Sequence, residues 1–356
     1  MARDRDLHIQ ARPKRPEVTP WLAALLALAM LLGLGLGVAP PAFLVAARSL
    51  MFSNFLPDDV INEARLNQLL GAQAVAVTDI ERYRHLIQPR AYEELSHFAE
   101  QHAGNDTGLA REILLRMSPG EPTGGCGAES LREKIALVAA RRGCCSDFTA
   151  AFQVYARALG LAVRRVETQS HTTNEYFDRI GGNWVWIDTM YRTQATDDDG
   201  RLLSFYQLRE HLLAHRPIRI LTLSDTTIAP LTSHVLFDAS NFSVAYWYPP
   251  ADLVAEDDFD GEWRRFHVVR PVRQLVGYLA GVRAEPTGLA SPSMAYRLRI
   301  ASRIAWISLI LLATSELLFA VVVVARSLKG KGGRELPEKR PARAVVMRLD
   351  GSEESD

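Results

Sequence analysis

Two long apolar runs constrain this chain more than any other feature of it. Residues 19–47 hold no charged side chain, and their centre reads WLAALLALAMLLGLGLGV. A second run, IAWISLILLATSELLFAVVVVA, fills residues 304–325 between Arg303 and Arg326 and carries one charge, Glu316. A helix needs roughly 20 mostly apolar residues to cross a bilayer, and both runs are long enough. The expectation is two membrane spans, 21–47 and 304–325, with a folded domain between them. A cleavable signal peptide is the alternative for the first, because FLVAAR offers small residues near a cleavage point. The long charged leader before Trp21 and the length of the run favour an uncleaved anchor.

Basic residues next to spans stay on the cytoplasmic side. The leader, 1–20, carries Arg3, Arg5, Arg12, Lys14 and Arg15. The tail, 326–356, carries Arg326, Lys329, Lys331, Arg334, Lys339, Arg340 and Arg343. Both termini are therefore expected in the cytoplasm, with residues 48–303 beyond the membrane. Arg297, Arg299 and Arg303 run against the rule. The tail's Lys, Arg, Gly and Pro content predicts disorder. Glu316 stands near the middle of its span, where a carboxylate costs on the order of 3 kcal/mol, so it should be protonated or paired. It packs against the small-residue run Gly33, Gly35 and Gly37 of the first span, or it meets a polar group on a partner membrane protein.

Formal charge is balanced, with 41 basic and 41 acidic residues. Nothing in it points to nucleic acid as a partner. Between the spans, residues 57–118 show helical periodicity, as in DVINEARLNQLLGAQ and PRAYEELSHFAEQH. SPGEPTGGCG (118–127) reads as a loop and ESLREKIALVAARR as a helix. The segment LAVRRVETQSHTTNEYFDRIGGNWVWIDTMY reads as three strands, with RIGG turning the last two into a hairpin. Residues 217–270 hold further strand-like runs, IRILTLS, FSVAYWYP and WRRFHVV. Helices first and strands after suit an α+β domain.

The chain has three cysteines, and two are adjacent, in RRGCCSDFTAAFQVYARALG. Phe148, Phe152, Tyr155 and Leu159 recur at helical spacing after them, and Gly160 supplies a stop. Cys145 therefore stands at a helix N-terminus, where partial positive charge favours a thiolate and unpaired amides can hold an oxyanion. Gly143 permits a tight approach. A thiol nucleophile needs a base, and His171 opens the strand HTTNEYF while Asp188 ends NWVWID. A hairpin centred between Arg179 and Ile180 sets His171 opposite Asp188. A two-residue turn at Gly181-Gly182 sets Asp188 opposite Glu175. The period of a strand puts both arrangements on one side of the sheet, within reach of a carboxylate-imidazole contact. The order is nucleophile Cys145, base His171, orienter Asp188, with Glu175 the next candidate for the third role.

Each residue also has a plainer reading. Cys145 can be a small buried hydrophobe, His171 a satisfied strand histidine and Asp188 a turn residue. Trp184 and Trp186 fit core or cleft wall better than a substrate platform. Cys144 suits a structural or disulfide role. In an oxidising compartment Cys126 could reach it and leave Cys145 free, although the vicinal neighbour constrains the geometry. A vicinal pair with one histidine does not match structural zinc spacing. His85, His97, His211, His215, His234 and His267 show no metal spacing either. No metal and no cofactor is called for.

GCCSDFTAAFQVYARALGLAVRRV, HTTNEYF and GNWVWIDTMY together resemble the transglutaminase-like superfamily. Its pattern is a Gly-x-Cys-x-Asp-aromatic helix start, then a His strand, then a Trp-bearing strand closing in Asp. The resemblance covers 125–215, including DDDGRLLSFYQL, which is similar to bacterial members. It implies a papain-like α+β core and acyl transfer or hydrolysis at amides, with Cys145, His171 and Asp188 in the roles above. Some members have lost activity. This chain departs in placing Cys144 before the nucleophile, and a second oxyanion donor is not assigned. The expected organisation is a leader (1–20), span (21–47), helical region (48–124), core (125–215), strand-rich extension (216–303), span (304–325) and tail (326–356). The expected function is that of a thiol acyl hydrolase or transferase in a bacterial plasma membrane, protease-like, acting on a peptide, protein or other acyl substrate. The alternative is a catalytically silent scaffold in a membrane assembly for envelope polymer synthesis or export.

Overall fold

The structure, a computed structural model, describes residues 49–71, 80–117, 128–222, 237–265 and 270–331. The leader, the first span with Gly33, Gly35 and Gly37, the loop bearing Cys126, His234, His267 and the tail from 332 lie outside the described residues. The chain divides into two compact units, Ala39–Trp306 and a second formed by Met1–Val38 with Ile307–Asp356.

In the larger unit, β1 (Asn54–Pro57) precedes α1 (Glu63–Leu69), α2 (Ile80–Arg84), α3 (Pro89–Gln101), α4 (Asp106–Met117), α5 (Leu131–Ala139) and α6 (Cys145–Ala158). Then come β2 (Val163–Glu167), β3 (Thr172–Asp178), β4 (Asn183–Ile187), β5 (Thr193–Thr196), α7 (Phe205–Leu213) and β6 (Arg219–Thr222). The last elements are β7 (Val244–Trp247), α8 (Leu253–Arg264), α9 (Arg270–Leu279), β8 (Thr287–Ala290) and α10 (Pro292–Lys331). Helix and sheet are thus mixed, and the simple order of helices then strands is corrected at both ends of the chain. Residues 216–303 carry α8 and α9 beside their strands. Trp263 and Arg264, expected in a strand, end α8 instead, where Asp252 caps the helix by accepting from the N–H groups of Val254 and Ala255.

Six strands form one sheet in the order β1-β8-β7-β2-β3-β4. The β1–β8 pair is parallel and the other pairs are antiparallel. One face is covered by α6 and its neighbours, where Phe148, Phe152 and Val154 meet Val163, Tyr176, Val185 and Ile187. The opposite face packs Trp186, Trp247, Val166 and Leu289 against Leu66 of α1 and Phe205 and Leu208 of α7. Trp184 and Trp186 are both core residues, each 2% exposed. Arg164 lies across the Trp184 ring at 4.1 Å and pairs with Glu175 at 2.6 Å, both side chains fully buried. Alternation along β3 explains the two faces: Asn174 and Tyr176 look toward α6, Thr173 and Glu175 away from it.

α10 contains one stretch, Pro292–Phe319, long and apolar enough to cross a membrane by length and composition, with none of its most apolar window buried. The hydroxyls of Thr314 and Ser315 donate back to the carbonyls of Ile310 and Leu312, each at 2.7 Å. Glu316 is exposed on this helix.

Candidate active site

α6 begins where it does because of Gly143 and Asp147. Gly143 has φ +112, a left-handed conformation that side chains resist, and an added Cβ would come within 3.2 Å of Asp147. Asp147 is buried, and its Oδ2 accepts from the Cys144 N–H at 3.1 Å, closing the helix entry. The glycine and the aspartate of the motif are therefore entry-forming residues, and they leave Cys145 on the first turn. Asp147 and Phe148 N–H groups donate to the Cys144 carbonyl at 2.9 and 3.1 Å. The N–H groups of Cys145 and Ser146 have no protein partner among the described residues and remain open at the helix end. At the far end, Leu161 N–H donates to the Ala156 carbonyl at 2.8 Å, and Gly160 makes the left-handed stop at φ +74.

Cys144 is disulfide-bonded and Cys145 is a free thiol. Of the chain's three cysteines the remaining one is Cys126, outside the described residues. The Cys144 sulfur thus carries no proton, and at its 3.2 Å contact with Ser146 Oγ the hydroxyl donates. The vicinal pair separates into one sulfur in a disulfide and one free thiol.

His171 Nε2 and Asp188 Oδ2 lie 2.7 Å apart, with the side chains 9% and 2% exposed. That leaves Nδ1 as the other imidazole nitrogen, and the ring is near enough to the Cys145 thiol to lower its pKa. Neither expected hairpin register occurs. Residues 179–182 form a four-residue loop, and Asn174 pairs with Ile187 and Glu175 with Trp186, which sets Thr173 opposite Asp188. His171 and Asp188 are therefore diagonal neighbours, with the same parity as in either expected register. Strict alternation would turn both away from α6. They reach Cys145 because His171 stands before β3 and Asp188 after β4, at the end of the sheet. There Thr149 Oγ1 of α6 donates to the Thr172 carbonyl at 3.1 Å. Glu175 is not a partner of His171: it is held by Arg164 and by the Phe205 N–H at 2.7 Å.

The electrostatics follow from this chain of contacts. Burial pushes the Cys145 thiol up, but the hydrogen bond and charge of His171, helped by the Thr172 amide, bring it below its ordinary value of 9.0. Burial pushes His171 down, but the Asp188 carboxylate and then the Cys145 sulfur raise it to about 10. Thiolate and imidazolium stabilise each other, so their protons belong to the pair. Asp188 does a second job. Its Oδ1 accepts from the N–H groups of Met190 and Tyr191 at 3.0 and 3.1 Å, and its backbone pairs with Thr193 in both directions. The Tyr191 ring then rests 5.7 Å from the imidazole.

No known protein-family model matches this chain, and no curated protein matches it. The site is read from its own geometry. No group of His, Cys, Asp and Glu among the described residues is arranged to hold a metal ion. A cavity of about 810 Å³, lined by Glu63, Asp178, Asn183, Arg201, Tyr206 and His211 among others, includes none of Cys145, His171 and Asp188. Sequence reading missed the Thr172 amide and Tyr191; for Tyr191, its position directly after the Trp-bearing strand that ends in Asp188 was the available signal.

Proposed function

We propose that the protein is a thiol acyl hydrolase or transferase with a papain-like, transglutaminase-like core, held in a membrane by α10 and the run at 21–47. The observation that carries the reading is the free Cys145 thiol at the open N-terminus of α6, its pKa lowered by a His171 imidazole whose Nε2 lies 2.7 Å from Asp188 Oδ2. The thiolate adds to a substrate carbonyl carbon, and the carbonyl electron pair moves onto oxygen. The Cys145 and Ser146 amides face that developing charge. The imidazolium gives its proton to the leaving amine or alkoxide as the tetrahedral intermediate collapses to a thioester. Water or an amine then adds, His171 takes its proton, and the thiolate leaves. Asp188 holds the tautomer and the ring throughout. The reading puts the domain outside the cytoplasm, where the Cys144 disulfide is chemically at home. The exposed apolar surface of α10, with Leu311 and Leu317 at 65% and 67%, suits lipid.

Incubation with p-nitrophenyl acetate tests the chemistry. An acetyl thioester on the Cys145 peptide, removed by neutral hydroxylamine and absent in His171→Ala, is expected. Absence of any acyl adduct in the wild type favours the silent scaffold.

A second reading, membership in a membrane assembly, is favoured by the exposed Glu316 within the apolar helix. It predicts that Glu316→Leu lowers co-purification of a partner membrane protein while acylation of Cys145 is unchanged. An unaltered set of co-purifying proteins contradicts it.

A further inference from the structure

The face that α6 turns to the sheet carries a polar stripe beside its apolar residues. Thr149, 1% exposed, and Gln153, 3% exposed, stand one and two turns after Cys145 on the same side of the helix. Opposite them on β3 are Thr172 and the fully buried Asn174. Three hydrogen bonds join the two elements. Thr149 Oγ1 donates to the Thr172 carbonyl at 3.1 Å, Asn174 Nδ2 donates to the Thr149 carbonyl at 3.3 Å, and Gln153 Nε2 donates to Asn174 Oδ1 at 2.9 Å. A helical threonine hydroxyl commonly turns back to the carbonyl four residues before it, which here is that of Cys145. This one crosses to the strand instead.

The two repeats match. Four helical residues rise about 6 Å and two strand residues about 6.7 Å, so Thr149 and Gln153 meet Thr172 and Asn174 in step. Helix and strand advance in the same direction along the stripe. One step back from Thr149 on the helix is Cys145, and on the strand side that step leads off the start of β3, where His171 stands. The nearness of thiol and imidazole is seen independently, since each shifts the other's pKa.

The apolar contacts of Phe148 and Phe152 with Val163 and Tyr176 hold α6 against the sheet, but such contacts have little directional preference. Hydrogen bonds are far less tolerant of displacement. A slide of one helical turn, about 5.4 Å, would break all three and leave the buried amides of Asn174 and Gln153 without partners. The polar stripe therefore fixes where α6 stops along β3.

We propose that Thr149, backed by Asn174 and Gln153, is a positioning residue that sets the register of α6 on β3 and with it the approach of the Cys145 thiol to the His171 imidazole. The inference rests on the thiol-enzyme reading of the site and deepens it by naming what holds the nucleophile to its base. The three residues act through the placing of α6.

The pH profile of Cys145 alkylation by iodoacetamide tests it, because a role limited to stability leaves the midpoint of that profile where it is. The full chain is held in nonionic detergent without reductant, and modification is followed by peptide mass mapping. Thr149→Val removes the hydroxyl at nearly the same shape. It should raise the midpoint by about one pH unit, the equivalent of about one neutral hydrogen bond, and slow the reaction at pH 7 about three- to tenfold. Thr149→Ser keeps the hydroxyl and should restore the wild-type midpoint. Gln153→Met cuts the bond two turns from the thiol, should move the midpoint in the same direction, and decides the matter if the valine variant does not fold. Wild-type midpoints in the folded variants, with only the melting temperature lowered, overturn the positioning role; the thiolate reading then stands if His171→Ala still raises the midpoint. A serine variant with a midpoint as high as that of valine assigns the effect to the lost methyl group and overturns the role of the hydrogen bond. Coincident wild-type and His171→Ala profiles with midpoints near the ordinary 9.0 overturn the thiolate reading and the positioning role with it.

Discussion

Arg164–Glu175, across β2 and β3, and His171–Asp188, at the ends of β3 and β4, are two buried charged pairs, and only the second stands beside a free thiol. The first lies inside the sheet, with both side chains at 0% exposure. Its carboxylate is engaged twice, by Arg164 and by the Phe205 amide, and its guanidinium is covered by Trp184 and bonded to Asn67 at 2.8 Å. No atom of it is left to face a substrate. The second lies at the sheet's end, just past the ladder, where the imidazole has Nε2 on Asp188 and lowers the pKa of a free thiol. Burial and opposite charge are common to both. What differs is that an imidazole can give up and take back a proton, which a guanidinium cannot, and that this one stands beside a thiol. Reactivity here is a property of the strand's end, and stability a property of its interior.

Three substitutions sharpen that contrast, taken from the largest effect down. Asp188→Asn should keep the fold, because an amide oxygen can still accept from Met190 and Tyr191. It should slow acetylation of Cys145 by about 10⁴, the loss expected when an imidazole is held in the wrong tautomer. Near-full activity in a p-nitrophenyl acetate assay would remove Asp188 from the site. Glu175→Gln should do the reverse. It strands Arg164 in the core and should lower unfolding free energy by about 3–5 kcal/mol in a denaturant titration, while the folded fraction still acetylates normally. If this variant kept wild-type stability but lost its acetylation rate, the two pairs would have exchanged roles. Gly143→Ala should be milder, costing about 1–3 kcal/mol through its left-handed backbone and the crowding against Asp147. Its effect should fall on the helix entry, so thermal melting and Cys145 reactivity should both decline.

The helix carrying Cys145 was legible because its apolar spacing, its Gly160 stop and its Gly143 entry are all local. The pairing of His171 with Asp188 was legible for a subtler reason. The hairpin register differs from both readings of RIGG, yet each of the three registers preserves parity, and parity was all that was needed to bring the residues to one side. Parity alone could not show that they reach α6, since that depends on both lying beyond the ends of their strands. The pairing of β1 with β8 joins residues far apart in sequence, and no local pattern signals a parallel partner at that distance. Trp263 and Arg264 open a run, WRRFHVV, rich in aromatic and β-branched residues, whereas capping by Asp252 starts a helix that runs through them.

The central claim is that His171 makes Cys145 a thiolate, and the pH dependence of Cys145 alkylation by iodoacetamide tests it most directly. Deprotonated thiol is the reacting form, so the rate climbs as pH passes the thiol's pKa. In wild type the climb should lie clearly below the ordinary thiol value of 9.0, because the imidazolium, protonated up to about pH 10, stabilises the thiolate. In His171→Ala that support is gone while burial remains, so the climb should move to 9.0 or above and the rate at pH 7 should fall. Wild-type and His171→Ala profiles that coincide, with both midpoints near 9.0, would contradict the account.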